Sequence, residues 1–482
     1  MSVSIETLLT IARQGIPFTA ADGQAFVRLA VPSGGFCVLP VRSPAYRNWF
    51  FSRFFSRYDT LPSAGTYNLL LNHLEAQAND NPDNQRLSTF HRVGAGGDGP
   101  VPDRILLDLA NPGREIVEIS REGWQVNARA SALLESSRSS RPLPVPVQDP
   151  DTEPSAPLQL LRSLLNLSSR ADWLRCLSWL LAALRPPVGP FPILILRGPS
   201  ASGKTFAARV FRALIDPSSA PLSPTPATSR DVLALAHQNW ILAFDHISGL
   251  SPNLTDTLCR LTSGLGIAVR ESSGVTSEPL LQYLKRPVLL TVTDRWRCPD
   301  DLAERALTVT CASLSPDRRR PETELFAAFH QARPAILAAL CSAVSTALSR
   351  LPDIHTSGSR CPDALFWAMA AAPSLDCTAE ELQQAFAPPR RFHPSVEAVR
   401  ALLDSRPHWS GTAAQLFELV KPAVSCRTPK GISQQLRSRP ADLAAAGIQL
   451  KFRRTSGGIR IIELGVASGD ASNEKCPSDA SP

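Results

Sequence analysis

Eight consecutive residues have the types and spacing of a phosphate-binding loop. They fit the pattern G-x-x-x-x-G-K-[ST] and read Gly198-Pro199-Ser200-Ala201-Ser202-Gly203-Lys204-Thr205. Glycines let backbone N–H groups close around phosphate oxygens, and a helix that begins there adds the positive end of its dipole. In such a loop Lys204 would bridge the β- and γ-phosphates, and the Thr205 hydroxyl would bind Mg²⁺. The pattern therefore predicts a site for ATP and Mg²⁺.

The sequence also supplies the elements that must position this loop. The apolar run PILILR precedes it, and TFAARVFRALI follows with helical spacing. A second apolar run, from Trp240 to Phe244, ends in Asp245, the place of a Walker B aspartate that would hold Mg²⁺. The alternatives are a glycine-rich turn with an exposed lysine and an aspartate that merely ends a buried strand. Agreement between the motif and its flanks favours nucleotide binding.

The residue after Asp245 departs from the usual pattern. Many P-loop ATPases have a glutamate there that polarises the attacking water, whereas this chain has His246. Imidazole is a poor substitute unless it is neutral and well oriented. Asp256, in the following helix, offers a carboxylate, but an exposed helical acid is the simpler interpretation. Hydrolysis is therefore a separate question from binding.

The pattern along the chain predicts an α/β fold with several domains, as expected for 482 residues. Ser/Pro-rich residues and a loss of apolar periodicity mark a linker, and alternating helices and strands follow it. The predicted parts are an α+β domain at 1–135, a linker at 136–158, a P-loop core at 159–320, a helical lid or connector at 321–390, a basic winged-helix-like domain at 391–465 and a disordered tail at 466–482.

Cysteine usage and hydropathy exclude several classes of protein. The 10 cysteines include no C-x-x-C pair and no histidine at zinc-ligand spacing, which argues against a disulfide framework or a zinc site. Apolar runs such as Trp179 to Leu184 are too short to span a bilayer. We therefore expect a cytoplasmic protein with reduced cysteines and no membrane partner.

Positive charge is concentrated near the C-terminus. Residues 393–464 hold 11 Lys and Arg against 5 Asp and Glu, a net charge of +6 in a chain whose total is +7. Amphipathic helices followed by LKFRR-TSGG-IRIIEL, a hairpin with a Gly-Gly turn, favour a winged helix. DNA phosphates are the predicted partner, and a protein-binding or merely solvated face is the alternative. The candidate contacts are Arg427, Lys430, Arg437 and Arg439 near the recognition helix, and Lys451, Arg453, Arg454 and Arg460 on the wing.

The N-terminal part contains no recognisable catalytic constellation. His73 and His91 lack obvious carboxylate partners and are interpreted as surface or packing residues. Between residues 47 and 57, arginines alternate with phenylalanine and tryptophan. Such a segment suits contact with single strands, but helical spacing more often indicates a core stripe with a solvated face.

Segments beyond the loop carry a resemblance to known motors. LTDTLCRLTSGLGIAVR (254–270), RPVLLTVTD (286–294) and PDDLAERAL (299–307) resemble the motif order of superfamily III and of phage- or plasmid-type primase-helicases, which are hexameric AAA+ ATPases. Most of the chain is also similar to a family of bacterial ATP-binding proteins associated with mobile elements. The resemblance implies an AAA+-like core and a homo-oligomer, of which a hexamer is one form.

Further roles are implied by this resemblance alone. Thr293 takes the sensor-1 place, where the family usually has asparagine, and its hydroxyl would bond the γ-phosphate or its water. Arg305 takes the place of an arginine finger that reaches a neighbouring subunit's γ-phosphate; a helical arginine paired with an acidic neighbour is the alternative. Arg270 and Lys285 would flank a DNA-contacting hairpin, with a solvated basic loop as the alternative.

Three functions remain to be compared. The leading one is an ATP-dependent DNA motor or remodeller, helicase-like, in replication or maintenance of a mobile element. The second is an ATP-gated DNA-binding or regulatory protein with weak or no hydrolysis, as His246 and Thr293 would allow. A small-molecule kinase with arginines 318–320 in its lid ranks below both, because a tethered N-terminal domain and a basic C-terminus fit a nucleic-acid protein better.

Overall fold

The chain is a mixed α/β protein with five sheets among the described residues. It divides into two compact units, Met1–Ala387 and Pro388–Pro482. The computed structural model describes residues 4–21, 23–31, 35–80, 89–96, 102–128, 133–135, 137, 139–149, 151, 153–269, 280–315, 317, 319–351, 361–387, 393–424, 426, 428–454, 458 and 460–466.

The larger unit begins with helices packed on a sheet. Tyr46, Phe50 and Phe54 recur every fourth residue and form a buried aromatic stripe, because residues four apart lie on one helix face. The elements are α1 (Ile5–Ala12), β1 (Gly15–Thr19), β2 (Ala25–Ala30), β3 (Phe36–Pro40), α2 (Pro44–Tyr58), α3 (Ala64–Asn79) and β4 (Thr89–His91).

An antiparallel meander follows, in the order β5-β6-β7-β8. Its strands are β5 (Val93–Gly96), β6 (Arg104–Asp108), β7 (Ile116–Ser120) and β8 (Gly123–Asn127). Alternate residues such as Ile105 and Val117 join the main core of the unit. The next strand, β9 (Leu133–Glu135), returns to the first sheet and pairs in parallel with β3 and β4.

Residues 141–149 contain neither helix nor strand, and they lie along the body of the unit. The Leu143 N–H donates to Leu109 O at 2.8 Å, and the Val147 N–H donates to Pro334 O at 3.3 Å. Pro142, Pro144 and Pro146 cannot donate backbone hydrogen bonds, which favours an extended path over regular structure. This stretch is anchored on other parts of the unit.

A parallel sheet forms the centre of the unit, in the order β11-β14-β10-β15. Its strands are nearly continuous apolar runs, as expected when helices cover both faces. The elements are α4 (Ala156–Leu164), α5 (Arg170–Ala183), β10 (Ile193–Gly198), α6 (Lys204–Ile215), α7 (Ser229–Gln238), β11 (Leu242–Ile247), α8 (Pro252–Ser263), the hairpin strands β12 (Leu265–Val269) and β13 (Leu280–Leu284), β14 (Val288–Thr293), α9 (Asp300–Ala303) and β15 (Ala306–Thr310).

Helices complete the unit: α10 (Glu322–Arg350), α11 (Pro362–Ala371), a 3-10 turn (Ala372–Ser374) and α12 (Ala379–Phe386). By length and composition, α10 is the one helix in the described part of the chain that is apolar enough to cross a membrane. However, 56% of its most apolar stretch is buried inside the protein, where residues such as Leu340 and Val344 join the main core.

The smaller unit combines helices with a three-stranded antiparallel sheet ordered β16-β18-β17. Its elements are α13 (Pro394–Ser405), β16 (His408–Gly411), α14 (Ala413–Val420), a 3-10 turn (Lys421–Ala423), α15 (Pro429–Arg437), α16 (Pro440–Ala445), β17 (Ile448–Arg454) and β18 (Arg460–Val466). Val399, Leu416, Ile432 and Leu464 are buried in its separate core. Helices α13, α14 and α15 and the β17–β18 hairpin lie where the apolar periodicity predicts them, whereas α16 was not predicted.

Candidate functional site

The Gly198–Thr205 segment joins the carboxyl end of β10 to α6, and two of its positions require glycine. A Cβ atom on Gly198 would lie 2.5 Å from the Cys311 carbonyl oxygen, so no larger residue fits there. Gly203 has a φ of +85°, which side chains with a Cβ rarely adopt. Ala201 is also left-handed, at φ 58. The loop therefore turns sharply around its own backbone before the helix begins.

The N-terminus of α6 has no side-chain cap. Gly203 is the N-cap residue and has no side chain to accept from the first-turn N–H groups. Uncapped N–H groups and the helix dipole together attract anions. The geometry suits a phosphate at this end of the 12-residue helix.

Lys204 is folded back over the loop. Its Nζ donates to Gly198 O at 2.9 Å, to Pro199 O at 2.5 Å and to Ser202 Oγ at 3.2 Å. Burial lowers the pKa of Lys204, and the nearby charges of Asp294 and Asp245 oppose that shift. The ammonium is thus held at the loop by acceptors that a phosphate could replace.

Asp245 and Thr205 meet across the sheet edge. The Thr205 hydroxyl donates to Asp245 Oδ1 at 3.1 Å, and the Thr291 hydroxyl donates to the same oxygen. The Thr291 oxygen also accepts the His246 N–H at 2.8 Å. Thr291 therefore orients the carboxylate from the neighbouring strand, a role that sequence reasoning missed. The signal was a lone polar residue inside the apolar run Val288 to Val292.

His246 sits at an irregularity of β11. Its φ is 60, and the β11–β14 register shifts between Phe244 and Ile247. Left-handed backbone at a non-glycine residue costs about 1 kcal/mol or more and is often found at functional sites. The His246 side chain is exposed. This turn carries Asp245 towards Thr205 while directing the imidazole to solvent.

The sensor-1 candidate lies beside the loop. Thr293 is the strand partner of Gly198 in the parallel pairing of β10 with β14. Adjacent strands are about 4.8 Å apart, so Thr293 borders the loop directly. The next residue, Asp294, is exposed, and its carbonyl oxygen accepts from the Arg197 guanidinium. Asp294 adds a carboxylate at this end of the sheet that sequence reasoning overlooked.

A cleft of about 760 Å³ opens next to the loop. That volume lies within the range of about 300–1,000 Å³ typical of small-molecule sites. Asn166 anchors one wall by donating to Ser202 O at 3.1 Å and to Ala312 O at 2.6 Å. The lining residues are Ser163, Leu164, Leu165, Asn166, Ala201, Ser202, Gly203, Lys204, Thr205, Phe206, Leu314, Asp317, Arg319, Arg320, Glu322 and Leu325.

Arg305 lies at the opposite end of the sheet. It precedes β15, whose first residue, Ala306, pairs with Ile193 at the start of β10. Six residues at about 3.3 Å each place it roughly 20 Å from Gly198 along the strand direction. The side chain is exposed and donates to Asp301 O at 2.8 Å. Arg305 is thus remote from the loop of its own chain.

The two residues predicted beside a DNA-contacting hairpin have different outcomes. Arg270 lies outside the described residues. Lys285 is only 7% exposed, with its ammonium 5.7 Å from the centre of the Tyr283 ring. Burial lowers the pKa of Lys285, and Arg185 adds to that shift. This burial argues against a direct phosphate contact by Lys285, because its charge is not presented at the surface.

In the smaller unit, the side chains predicted to contact DNA differ in their pairing and exposure. Arg427 lies outside the described residues, and Arg453 pairs with Glu463 at 3.1 Å. Arg439, two residues beyond the end of α15, donates to Gln435 O in that helix at 3.1 Å. Arg437 stacks on Phe452, with its guanidinium carbon 4.1 Å from the ring centre. The exposed members are Lys430, Arg437, Lys451, Arg453, Arg454 and Arg460.

The hairpin register brings two arginines face to face. Arg454 and Arg460 are direct cross-strand partners at the turn end of the β17–β18 hairpin. Like charges opposite each other are destabilising in a sheet. Arg454 shares a face with Phe452, two residues earlier, so Arg437 lies on the same side. This arrangement concentrates positive charge where an anion would relieve the repulsion.

A buried ionic network supports the helix that follows the loop. Asp216, just after α6, pairs with Arg92 at 3.1 Å and with Arg212 at 3.3 Å, and all three side chains are almost completely buried. Its Oδ2 also accepts the Trp240 and Ile241 N–H groups at 2.9 Å each. The network ties the N-terminal sheets, α6 and the start of β11 together. No sequence motif indicated it.

Comparison with known proteins adds information on the biological process. Residues 158–360, which contain the loop, the parallel sheet and α10, match the model of a family described as actinomycete integrative conjugative element replication protein. This match supports a replication-associated function in a mobile element. It covers less than half of the chain, and no protein with a curated description matches.

Solved structures give a weaker likeness. The apo A-form structure of the NrS-1 C-terminal region has a TM-score of 0.39 and 8% identity, covering 95% of this chain and 98% of that one. A second apo A-form structure of that region has a TM-score of 0.36 and 7% identity, covering 96% and 100%. Values this low carry no argument about activity.

Proposed function

We propose that the chain binds Mg–ATP at the Gly198–Thr205 loop and uses it to act on DNA during replication of a mobile element. The observation that carries the proposal is the meeting of Lys204, an uncapped helix N-terminus and the Thr205–Asp245 pair at one end of a parallel sheet. Ligands bind in this position, outside the carboxyl ends of strands, in open α/β sheets generally. The P-loop NTPase core, AAA+-like, is part of this proposal.

The residues present fit both Mg²⁺ and the phosphates. The Thr205 hydroxyl and the Asp245 carboxylate lie 3.1 Å apart and are the hard oxygen donors that Mg²⁺ prefers. Lys204 and the α6 N–H groups would hold phosphate oxygens. When bound, Mg²⁺ neutralises charge on the β- and γ-phosphates. The group proposed to orient the attacking water is the Asp294 carboxylate, because the His246 side chain is directed to solvent.

Arg305 would act only between subunits. It lies roughly 20 Å from Gly198 along the strand direction, too far to reach a nucleotide on its own loop. An arginine that stabilises transition-state charge in trans explains this remote, exposed position. The proposal therefore includes a homo-oligomer, of which a hexameric ring is one form.

The smaller unit is proposed to bind DNA. Its order of helix, strand, three helices and a terminal hairpin supports a winged helix, with α15 as the proposed recognition helix. The basic side chains on α15 and the hairpin would neutralise backbone phosphates without reading sequence. Opposed Arg454 and Arg460 support an anionic partner.

ATP hydrolysis distinguishes a DNA motor from an ATP-gated regulatory protein. We expect the full-length protein to hydrolyse Mg–ATP in multiple turnovers, and DNA to raise the steady-state rate, because a motor couples the two. Steady-state and single-turnover assays, each with and without DNA, measure this. Tight ATP binding with no turnover in either assay favours the ATP-gated regulatory protein. Absence of nucleotide binding rules out both.

Replacing Arg437, Arg454 and Arg460 together with glutamine is expected to weaken DNA binding on all sequences alike. The slope of log affinity against log salt should fall by about 2.7, since each duplex phosphate contact contributes about 0.9. Fluorescence anisotropy across a salt series measures the slope. Lys421→Gln is the matched control, because Lys421 is already paired with Glu418 at 2.6 Å. An unchanged slope in the triple variant would remove this surface from the proposal.

A further inference from the structure

The outward side of α2 carries a regular arrangement of arginines and small polar residues. The core contacts of this helix come from the buried stripe, with Trp49 and Phe51 packed against its edges. The remaining residues fall into three rows, each with members four apart and about 6 Å between them along the axis. The rows are Arg47-Phe51-Phe55, Asn48-Ser52-Ser56 and Trp49-Arg53-Arg57.

The middle row is small and polar, and the rows on either side combine arginine with aromatic rings. The Arg47 guanidinium lies 5.2 Å from the centre of the Phe51 ring, and that of Arg53 lies 4.9 Å from the Trp49 ring. Ser52 and Ser56 between them are exposed. The outward side is therefore a shallow trough, bordered on both sides by stacked cations.

The charge on this trough is uncompensated. The helix contains three arginines and no Asp or Glu, and all three arginines are exposed. Within the described part of the chain, Arg47, Arg53 and Arg57 form no ion pair, whereas neighbouring Arg42 is paired with Glu75 at 2.5 Å. Arg53 donates one hydrogen bond to Gln14 Oε1 at 3.3 Å, which leaves the positive charge of the guanidinium unneutralised. Stacking on the aromatic rings holds the guanidinium groups of Arg47 and Arg53 along the helix.

Phe55 supplies an aromatic surface beside these charges. Its side chain is 51% exposed, one turn beyond Phe51 in the same row. The exposed ring is a flat apolar surface beside positive charge, and a partner with flat apolar surfaces could cover it favourably. Bases of a single strand have such surfaces, and duplex DNA keeps them stacked inside.

We propose that the outward side of α2 is a second nucleic-acid site, which binds single-stranded DNA or RNA. Phosphates lie along the Ser52–Ser56 trough against Arg47 and Arg53, and a base stacks on Phe55. Positive charge with aromatic platforms is the usual chemistry of sequence-tolerant single-strand binding. Charge complementarity favours a polyanion over an apolar protein partner. The site is independent of the nucleotide loop and of the smaller unit.

Anisotropy with a labelled 20-nucleotide oligothymidylate tests the site in the full-length protein. The Arg437, Arg454 and Arg460 triple variant serves as the background, so that loss at α2 is separated from loss at the smaller unit. Phe55→Ala is expected to weaken binding about 5- to 100-fold with an unchanged salt slope. Replacing Arg47, Arg53 and Arg57 with glutamine should lower the slope by about 2, at about 0.7 per single-strand phosphate.

Two controls match these changes. Leu69→Ala removes an apolar side chain that is 58% exposed on α3, and Arg121→Gln removes an exposed arginine from the β7–β8 turn. Neither should alter affinity or slope. Equal affinity in parent and α2 variants overturns the site, as does an equal loss in the controls. If the α2 variants still bind oligothymidylate but no longer bind anionic phospholipid vesicles, the single-strand site is overturned in favour of a membrane-binding surface.

Photo-crosslinking of the unmodified protein provides a measurement that does not depend on variants folding. An oligothymidylate carrying 4-thiothymidine is irradiated with the protein, and crosslinked peptides are identified by mass spectrometry. Peptides containing Trp49 or Phe55 are the expected products. Crosslinks that map only to the smaller unit would overturn the α2 site while leaving its DNA binding intact.

Discussion

Replacing Lys204 with alanine is expected to weaken Mg–ATP binding by about 10- to 100-fold and to abolish hydrolysis. A hydrogen bond to a charged group contributes about 1.5–3 kcal/mol, and each 1.36 kcal/mol is tenfold in affinity. Lys204 is held at the loop by two carbonyls and a hydroxyl, so little rearrangement is needed to contact phosphates. Titration with a fluorescent ATP analogue measures the affinity.

Arg209→Ala is the matched control for Lys204. Arg209 lies on the same helix and loses the same charge, but it is 41% exposed and pairs with Glu322 at 2.6 Å. It should bind nucleotide like the parent protein. Thermal unfolding of both variants separates lost binding from lost folding. If folded Lys204→Ala protein binds ATP as tightly as the parent, the loop is not the nucleotide site and the central proposal fails.

Replacing Asp216 with asparagine is expected to destabilise the larger unit by about 3–5 kcal/mol. Removing one partner of a buried ionic network leaves the others as uncompensated buried charges. Here two guanidinium groups, from Arg92 and Arg212, would lose their common carboxylate. Urea unfolding followed by circular dichroism measures the change. Asp256→Asn is the control, because Asp256 is 58% exposed in a helical pair with Arg260 and should change stability by less than about 0.5 kcal/mol.

The same carboxylate predicts how stability depends on pH. Burial alone would raise the pKa of Asp216, but Arg212 and Arg92 outweigh it and hold the pKa below its ordinary value of 3.8. A group whose pKa is lower in the folded state stabilises the fold above its unfolded pKa, and that stability is lost as pH falls through the folded pKa. The difference in free energy of unfolding between the parent and Asp216→Asn should therefore shrink below about pH 4. A difference that is constant from pH 7 to pH 2 would contradict this linkage.

Local patterns explain what could be predicted of the candidate site. Gly198 and Gly203 are required by backbone geometry within eight residues, and β10 and α6 follow from adjacent apolar runs. The apolar periodicity of the sequence likewise predicted three helices and the hairpin of the smaller unit. Thr291 and Asp294 were missed because their roles depend on which strands are neighbours in the sheet. The spacing of residues along the chain does not predict which strands are neighbours in the sheet.

The sequence by itself determined the phosphate-loop spacing of Gly198–Thr205, the apolar run ending in Asp245 and the concentration of positive charge in residues 393–464. These are properties of contiguous segments, in which the local conformation of the backbone fixes how neighbouring residues are placed. Tertiary structure alone decided that Lys285 is buried, that Arg305 lies far from its own loop, and that Asp216 joins two distant arginines. Burial and pairing depend on segments far apart in the chain, such as Arg92 and Asp216 at 124 positions, and these meet only when the core packs.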